Sequence, residues 1–231
     1  MDLSNNSGGD VTLAETFYQL FEEPTTSAIF SAKAGHVSSG NLAFILNQLS
    51  EIEEKDTIVL IDLYFQAYKQ AQTSQNKITP WVLLRKTEVE QNIFSGPVTI
   101  LISPNCISAC EIFAHQFKIR QRGFILGMPT NGTGFGFISV DEGKTLFRDP
   151  FSLYEVEIPN FAFQAVVLPA EQQLMADKKR KGTLIPFDQL PLLENHPTEP
   201  DIPYEMTAQD LLDFSDYQKF IEKHLAPTIV P

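Results

Sequence analysis

The amino-acid sequence predicts an α/β fold, and three observations carry that prediction. Residues 98–103 form a six-residue apolar run rich in β-branched side chains, the pattern of a strand buried in a parallel sheet. Strand and helix signals alternate around this run through the first half of the chain. After residue 136, strand-like runs follow one another without an intervening helix, which predicts an added β layer.

The elements follow in order. Val11, Leu13, Ala14, Phe17, Tyr18, Leu20 and Phe21 recur at helical spacing over residues 10–22, with Asp10 as N-cap and Pro24 as the stop. Residues 28–32 predict a short strand and 39–52 a second helix. Residues 56–72 fit either state: 58–61 suit a strand, and the longer run suits a helix. After Gly96-Pro97 come the buried strand at 98–103, a turn at Pro104-Asn105-Cys106, a helix from Ser108 to about Arg120 and a strand at 123–127. A glycine-rich loop spans 130–136. Strand-like runs lie at 136–140, 145–148, 152–158 and 161–168. Residues 169–206 are irregular and proline-bearing, and 207–225 predict one broken helix. No internal repeat and no clean domain boundary interrupts the chain.

Composition narrows the function. At 231 residues, with 43% apolar and 20% charged side chains, the chain can bury a sizeable core and lies outside the disordered class. Seventeen Lys+Arg against 29 Asp+Glu give a net charge of −12, which argues against a phosphate-binding groove and a nucleic-acid partner. The basic run at 178–181 is short and reads as a solvated loop or helix end. Two cysteines, Cys106 and Cys110, make no disulfide framework and read as packed thiols. His36, His115, His196 and His224 are scattered without zinc-ligand spacing, so a Cys/His metal cluster is unsupported. No apolar run reaches the roughly 18 residues of a membrane span, and no secretory signal is present.

Three stretches carry chemistry. Asn5-Asn6-Ser7-Gly8-Gly9 opens a helix, and paired glycines there leave backbone N–H groups approachable by an oxyanion. A plain helix-entry turn has the same look. Ser108 stands at a strand–turn–helix junction, which exposes its hydroxyl and sets the N–H of Ala109 beside it. A serine at that position is also a common N-cap. The loop from Thr130 to Gly136 lacks the Gly-Lys-Ser/Thr ending of a phosphate-binding loop.

In order and spacing these stretches resemble the tail-specific (carboxyl-terminal-processing) serine peptidases. That family has Asp-Leu-Arg-Asn-Asn-Pro-Gly-Gly where this chain has Asp2-Leu3-Ser4-Asn5-Asn6-Ser7-Gly8-Gly9. Its Ser-Ala-Ser-Glu-Ile-Phe-Ala is matched by Ser108-Ala109-Cys110-Glu111-Ile112-Phe113-Ala114. Its Val-Gly-Glu-x-Thr-x-Gly-Lys-Gly falls on residues 126–134, with Thr133 where the lysine base of the Ser-Lys members stands. A threonine hydroxyl cannot be that base near neutral pH. The chain is therefore more similar to the branch typified by the tricorn core protease and the chlamydial protease-like activity factor, which uses serine with an upstream histidine. Residues 193–202 resemble that branch's Ile-Glu-Asn-x-Gly-Val-Glu-Pro segment and place its orienting carboxylate on Glu194.

The resemblance implies a crotonase/ClpP-like core of parallel strands and helices with an added β layer and a C-terminal helix. It implies proteolysis through an acyl-enzyme on Ser108, an oxyanion hole from Gly8, Gly9 and Ala109, and polypeptide substrates. It further implies a periplasmic or extracellular location, and it allows a homodimer or association with the protein's own N-terminal portion. Serine needs a base, and the family's histidine lies N-terminal to the Asn-Asn-x-Gly-Gly turn. His115, about two helical turns past Ser108, is some 10 Å away at about 1.5 Å per residue. His196 lies near Glu194 in a loop. The turn-rich first ten residues also read as a loop that should follow a strand. The expectation is a single catalytic domain over 1–231, N-terminally truncated and lacking its base. Two rivals stand beside it: an inactive relative that binds peptides or acts as a scaffold, and a crotonase-fold acyl-CoA enzyme.

Overall fold

The computed structural model describes residues 1–21, 29–35, 37, 55–85, 94–136, 146–148, 155–157, 161–167 and 182–225. The helix expected at 39–52 lies outside them. The chain divides into two compact units. One comprises residues 1–26, 89–133 and 194–231, and the other 27–88 and 134–193.

The first unit holds the parallel strands that the apolar run predicts. Helix α1 is Val11–Gln19, strand β3 is Thr99–Ile102, helix α3 is Ala109–Arg120 and strand β4 is Phe124–Gly127. β3 and β4 pair in parallel from Thr99↔Phe124 to Ile102↔Gly127, so the chain must cross over between them, and α3 is that crossover. Strand β10 (Ile202–Pro203) adds in parallel to β4. On the far edge of β3, the Leu3 N–H donates to the Leu101 carbonyl and the Leu101 N–H to the Met1 carbonyl, both at 2.9 Å. The first residues thus run alongside β3 like a strand before turning. The Asp10 carboxylate caps α1 by accepting from the Leu13 N–H at 2.8 Å. α1 packs on α3 through aromatic rings: Tyr18 meets Phe113 and Phe117 edge-on, with centroids 6.2 and 5.2 Å apart.

The tail is pinned back onto this sheet. Asp201 takes the Ile125 N–H at 2.9 Å and pairs with Lys118 at 2.6 Å. The expected broken helix is α4 (Asp210–Asp213) followed by α5 (Ser215–Leu225). The break is organised by Asp210, which is fully buried. Its carboxylate accepts from the Tyr204 hydroxyl, from the Thr207 N–H and hydroxyl at 2.9 Å, and from the Tyr217 N–H at 2.8 Å.

The second unit is the added β layer. Strands β1 (Ile29–Gly35), β2 (Trp81–Arg85), β5 (Phe135–Gly136), β8 (Phe161–Val167) and β9 (Gly182–Ile185) form an antiparallel sheet in the order β5-β8-β1-β2-β9. β6 (Leu146–Arg148) and β7 (Glu155–Glu157) make a separate antiparallel pair. Side chains alternate across the sheet. Trp81 and Leu83 cluster with Ala32, Ala34 and Ala162, whereas Val82 and Phe161 meet helix α2 (Lys55–Thr73) through Leu63, Tyr64, Ala67 and Tyr68. The Trp81 indole N–H donates to the Phe187 carbonyl at 2.9 Å.

Three readings of the chain are corrected or settled here. The ambiguous stretch 56–72 is helix, because Leu63, Tyr64, Ala67, Tyr68 and Ala71 share one buried face at helical spacing. β2 was not expected as a strand. β9 and β10 lie in the stretch read as irregular. All three are short, and each is held by a partner far away in sequence.

Burial opposes ionisation of Asp210, but the hydrogen bonds from Tyr204, Thr207 and Tyr217 outweigh it and hold its carboxyl at about 2, below the ordinary 3.8. A depressed carboxylate contributes stability that is complete above the ordinary value and lost as pH falls through the folded one. The tail should therefore loosen between pH 3.8 and about 2. Hydrogen exchange at the α5 amides should accelerate over that window in the native protein and be fast already at pH 6 in Asp210→Ala. Protection unchanged down to pH 2 would contradict this account.

Candidate active site

Everything in this section lies within the first unit. The β3–α3 connection begins with Ser103, whose hydroxyl donates to the Ser4 carbonyl at 2.5 Å and accepts from the Asn105 N–H at 3.0 Å. The Cys106 N–H closes a turn onto the Ser103 carbonyl at 2.9 Å. Ser108 then occupies the N-cap position of α3 with φ 59° and ψ −119°. An L-residue in that region carries strain of about 1–3 kcal/mol and persists only where its surroundings impose it. The side chain makes no capping hydrogen bond. The alternative reading of Ser108 as a simple helix cap does not describe this geometry, and its half-buried hydroxyl meets no partner among the described residues.

The Gly8-Gly9 turn lies directly against this serine. Gly8 has φ +98°, and a Cβ there would sit 2.6 Å from the Ile107 carbonyl oxygen, 2.8 Å from Ser108 Cβ and 3.2 Å from the Ala109 nitrogen. Only glycine allows that approach. The Ile107 N–H donates to the Asn6 carbonyl at 3.2 Å, which stitches the two turns together. The two glycine amides are not equivalent. Gly8 N–H donates to Asn6 Oδ1 at 2.9 Å, while Gly9 N–H has no acceptor among the described residues. Nor does Ala109 N–H, one of the orphan donors of the first helical turn.

The cysteines require a correction. Cys106 and Cys110 are not separate packed thiols; they form a disulfide, with Cα atoms 5.2 Å apart. Two thiols four residues apart read as no disulfide framework. In fact Cys106 lies in the turn and Cys110 in the helix, and the unusual backbone at Ser108 folds one back towards the other.

Glu111 was assigned no role from sequence, yet its side chain organises the site. It is fully buried on α3. Oε1 accepts from the Thr130 hydroxyl and, at 3.1 Å each, from the Thr198 N–H and hydroxyl. Oε2 accepts from the Gly132 N–H at 2.7 Å and the Thr133 N–H at 3.3 Å. The one sequence signal was a carboxylate inside the apolar run 109–114.

Glu194 is half-buried in the turn that follows this unit's re-entry. Its backbone carbonyl lies 2.9 Å from His196 Nδ1. Glu194 is linked to the Ser108 turn through backbone. The Asn195 N–H donates to the Gly132 carbonyl at 2.7 Å, and the Asn131 N–H to the Cys106 carbonyl at 3.2 Å. Thr133, at the lysine position of the Ser-Lys pattern, donates its hydroxyl to Asn131 Oδ1 at 2.6 Å.

A cavity of about 350 Å³ opens beside the unpaired amides. Its walls are largely apolar, with Leu3, Leu13, Ala14, Phe17 and Phe113 on them. Gly8, Gly9 and Ala109 form one edge and Cys110 another part of the wall. Such a lining accepts an apolar side chain next to a pair of N–H donors.

Comparison with known proteins gives a consistent family. The family model described as "Peptidase family S41" matches residues 1–143. No curated protein matches the sequence. Among solved structures, mature CPAF complexed with lactacystin superposes with a TM-score of 0.58 at 17% identity, over 99% of this chain and 44% of that one. A CPAF mutant gives a TM-score of 0.62 at 17% identity, over 98% of this chain and 42% of that one. At such identities the likeness shows a shared fold. The chain spans less than half the length of these structures.

Two substitutions test the packing. Glu111→Ala leaves buried donors at Thr130, Gly132 and Thr198 unanswered and should cost about 3–5 kcal/mol. Gly8→Ala must displace the Ile107 carbonyl and should cost about 1–3 kcal/mol. Urea midpoints measure both. A change below about 0.5 kcal/mol in either variant would contradict the contacts described.

Proposed function

Because the chain belongs to peptidase family S41, we propose that it carries the nucleophile and oxyanion-binding parts of a serine endopeptidase, with a crotonase/ClpP-like parallel core. The observation that carries this reading is Ser108. It is held at positive φ on a helix N-terminus against the Gly8 backbone, with its hydroxyl unused as a cap, and the Ala109 and Gly9 N–H groups have no acceptor among the described residues.

The chemistry follows from that placement. Ser108 Oγ attacks a peptide carbonyl while a general base takes its proton. The resemblance assigns that work to a histidine on the N-terminal side of residues 5–9, with Glu194 orienting it. In this reading the carbonyl oxygen becomes an oxyanion that accepts from the Ala109 and Gly9 amides, with Gly8 holding the turn. Collapse expels the amine, which takes the proton from the base, and water then hydrolyses the acyl-enzyme. No metal or cofactor enters. The substrates are polypeptides that present an apolar side chain to the cavity lined by Ala14 and Phe17. The disulfide supports a periplasmic or extracellular location, since such bonds persist in oxidising compartments.

One observation favours a second reading. With Thr133 tied to Asn131, this chain lacks the lysine base of the Ser-Lys members. An inactive relative would bind unfolded peptide tails and never turn over casein.

A fluorophosphonate probe should label the full-length protein at Ser108, and Ser108→Ala should abolish labelling and lower peptide hydrolysis by about 10⁴-fold or more. Equal labelling of the alanine variant would overturn the assignment. Ala14→Trp should fill the cavity and raise KM for an apolar peptide about tenfold with kcat little changed. A lower kcat at unchanged KM would remove the cavity from substrate binding.

A further inference from the structure

We propose that the Cys106–Cys110 disulfide is a positioning element for Ser108, one that keeps the serine turn in its reactive shape; this rests on the reading of Ser108 as the nucleophile.

The bridge closes a loop of only five residues, 106–110, with Ser108 at its centre. Constraint of the unfolded chain grows with loop length, so a loop this short contributes least to the stability of the whole. What it constrains is local. Ser108 has φ 59° and no side-chain bond to hold it there. On one side the Gly8 backbone is wedged against Ile107 and Ser108. From the other, the disulfide ties the start of the turn to the first turn of α3. Without the bridge, the backbone can relax to ordinary N-cap geometry, and the hydroxyl then bonds its own helix and is withdrawn from attack.

Two further contacts give the bridge its reach. The Cys106 carbonyl accepts from the Asn131 N–H, in the loop gathered by Glu111. Cys110 lines the cavity that Gly8, Gly9 and Ala109 border. One covalent link therefore joins the loop at 130–133, the serine turn and the cavity wall. The cysteines are 0% and 3% exposed, unlike a pair built for rapid exchange with solvent thiols.

The test uses the full-length protein before and after reduction with a trialkylphosphine. Two electrons pass from phosphorus to the disulfide, giving two thiols, while the phosphine takes its oxygen from water and becomes the oxide. Alkylation and mass spectrometry count the thiols, and circular dichroism monitors the fold. The Cys106→Ala/Cys110→Ala double variant gives the same comparison without reductant. Opening the bridge should slow fluorophosphonate labelling at Ser108 by about ten- to a hundred-fold. The same change should lower kcat with KM held within about twofold, and reoxidation should restore the rate. Equal labelling rates in folded oxidised and reduced protein, or free thiols in the protein as isolated, would overturn the positioning role alone. A protein with the bridge intact that is never labelled at Ser108 would overturn the nucleophile reading and the positioning role with it.

Discussion

A single buried carboxylate holds the site together. Among the described residues no cation pairs with Glu111; its carboxylate oxygens are met by five N–H and O–H donors from two separate loops. A polar group away from water is tolerable only when its lone pairs are filled, so the loops cannot drift without exposing that cost. The backbone from 130 to 133 and at 198 is gathered around one fixed point, three residues past the serine.

Strain at Ser108 is the counterpart. A residue at φ 59° persists because the surroundings leave no other choice. Here the surroundings are the side-chain-free backbone of Gly8, the bridge from Cys106 to Cys110, and the helix whose first amide remains unpaired. The two glycines divide the labour: Gly8 N–H is occupied by Asn6 and its φ serves packing, while Gly9 faces open space. A serine used only as a cap would need none of this apparatus.

Local signals were legible in the sequence. The apolar spacing and Asp10 gave α1, the β-branched run gave β3, and the strand–turn–helix pattern gave α3 with Ser108 at its head. The family resemblance placed the glycine turn against the serine, and the structure brings the two into contact. What stayed hidden depends on partners distant in sequence. β2 and β9 are short strands that make sense only once paired with partners far along the chain. Glu111 looks like a surface charge until donors 19 to 87 residues away are brought to it. The disulfide was missed because two cysteines make no framework by count, and nothing in composition reveals the unusual positive-φ backbone at Ser108.

The order of segments along the chain has a consequence for biosynthesis. The unit that carries the serine is assembled from the first residues, a middle segment and the last segment. Thr198, which supplies two of the donors around Glu111, is made 87 residues after it. A nascent chain on the ribosome therefore holds this acid without its Thr198 donors until residue 198 has emerged. Contacts of such range are formed late and slowly. The serine turn and the loops gathered around Glu111 therefore reach their final arrangement only once the last segment of this unit has been made.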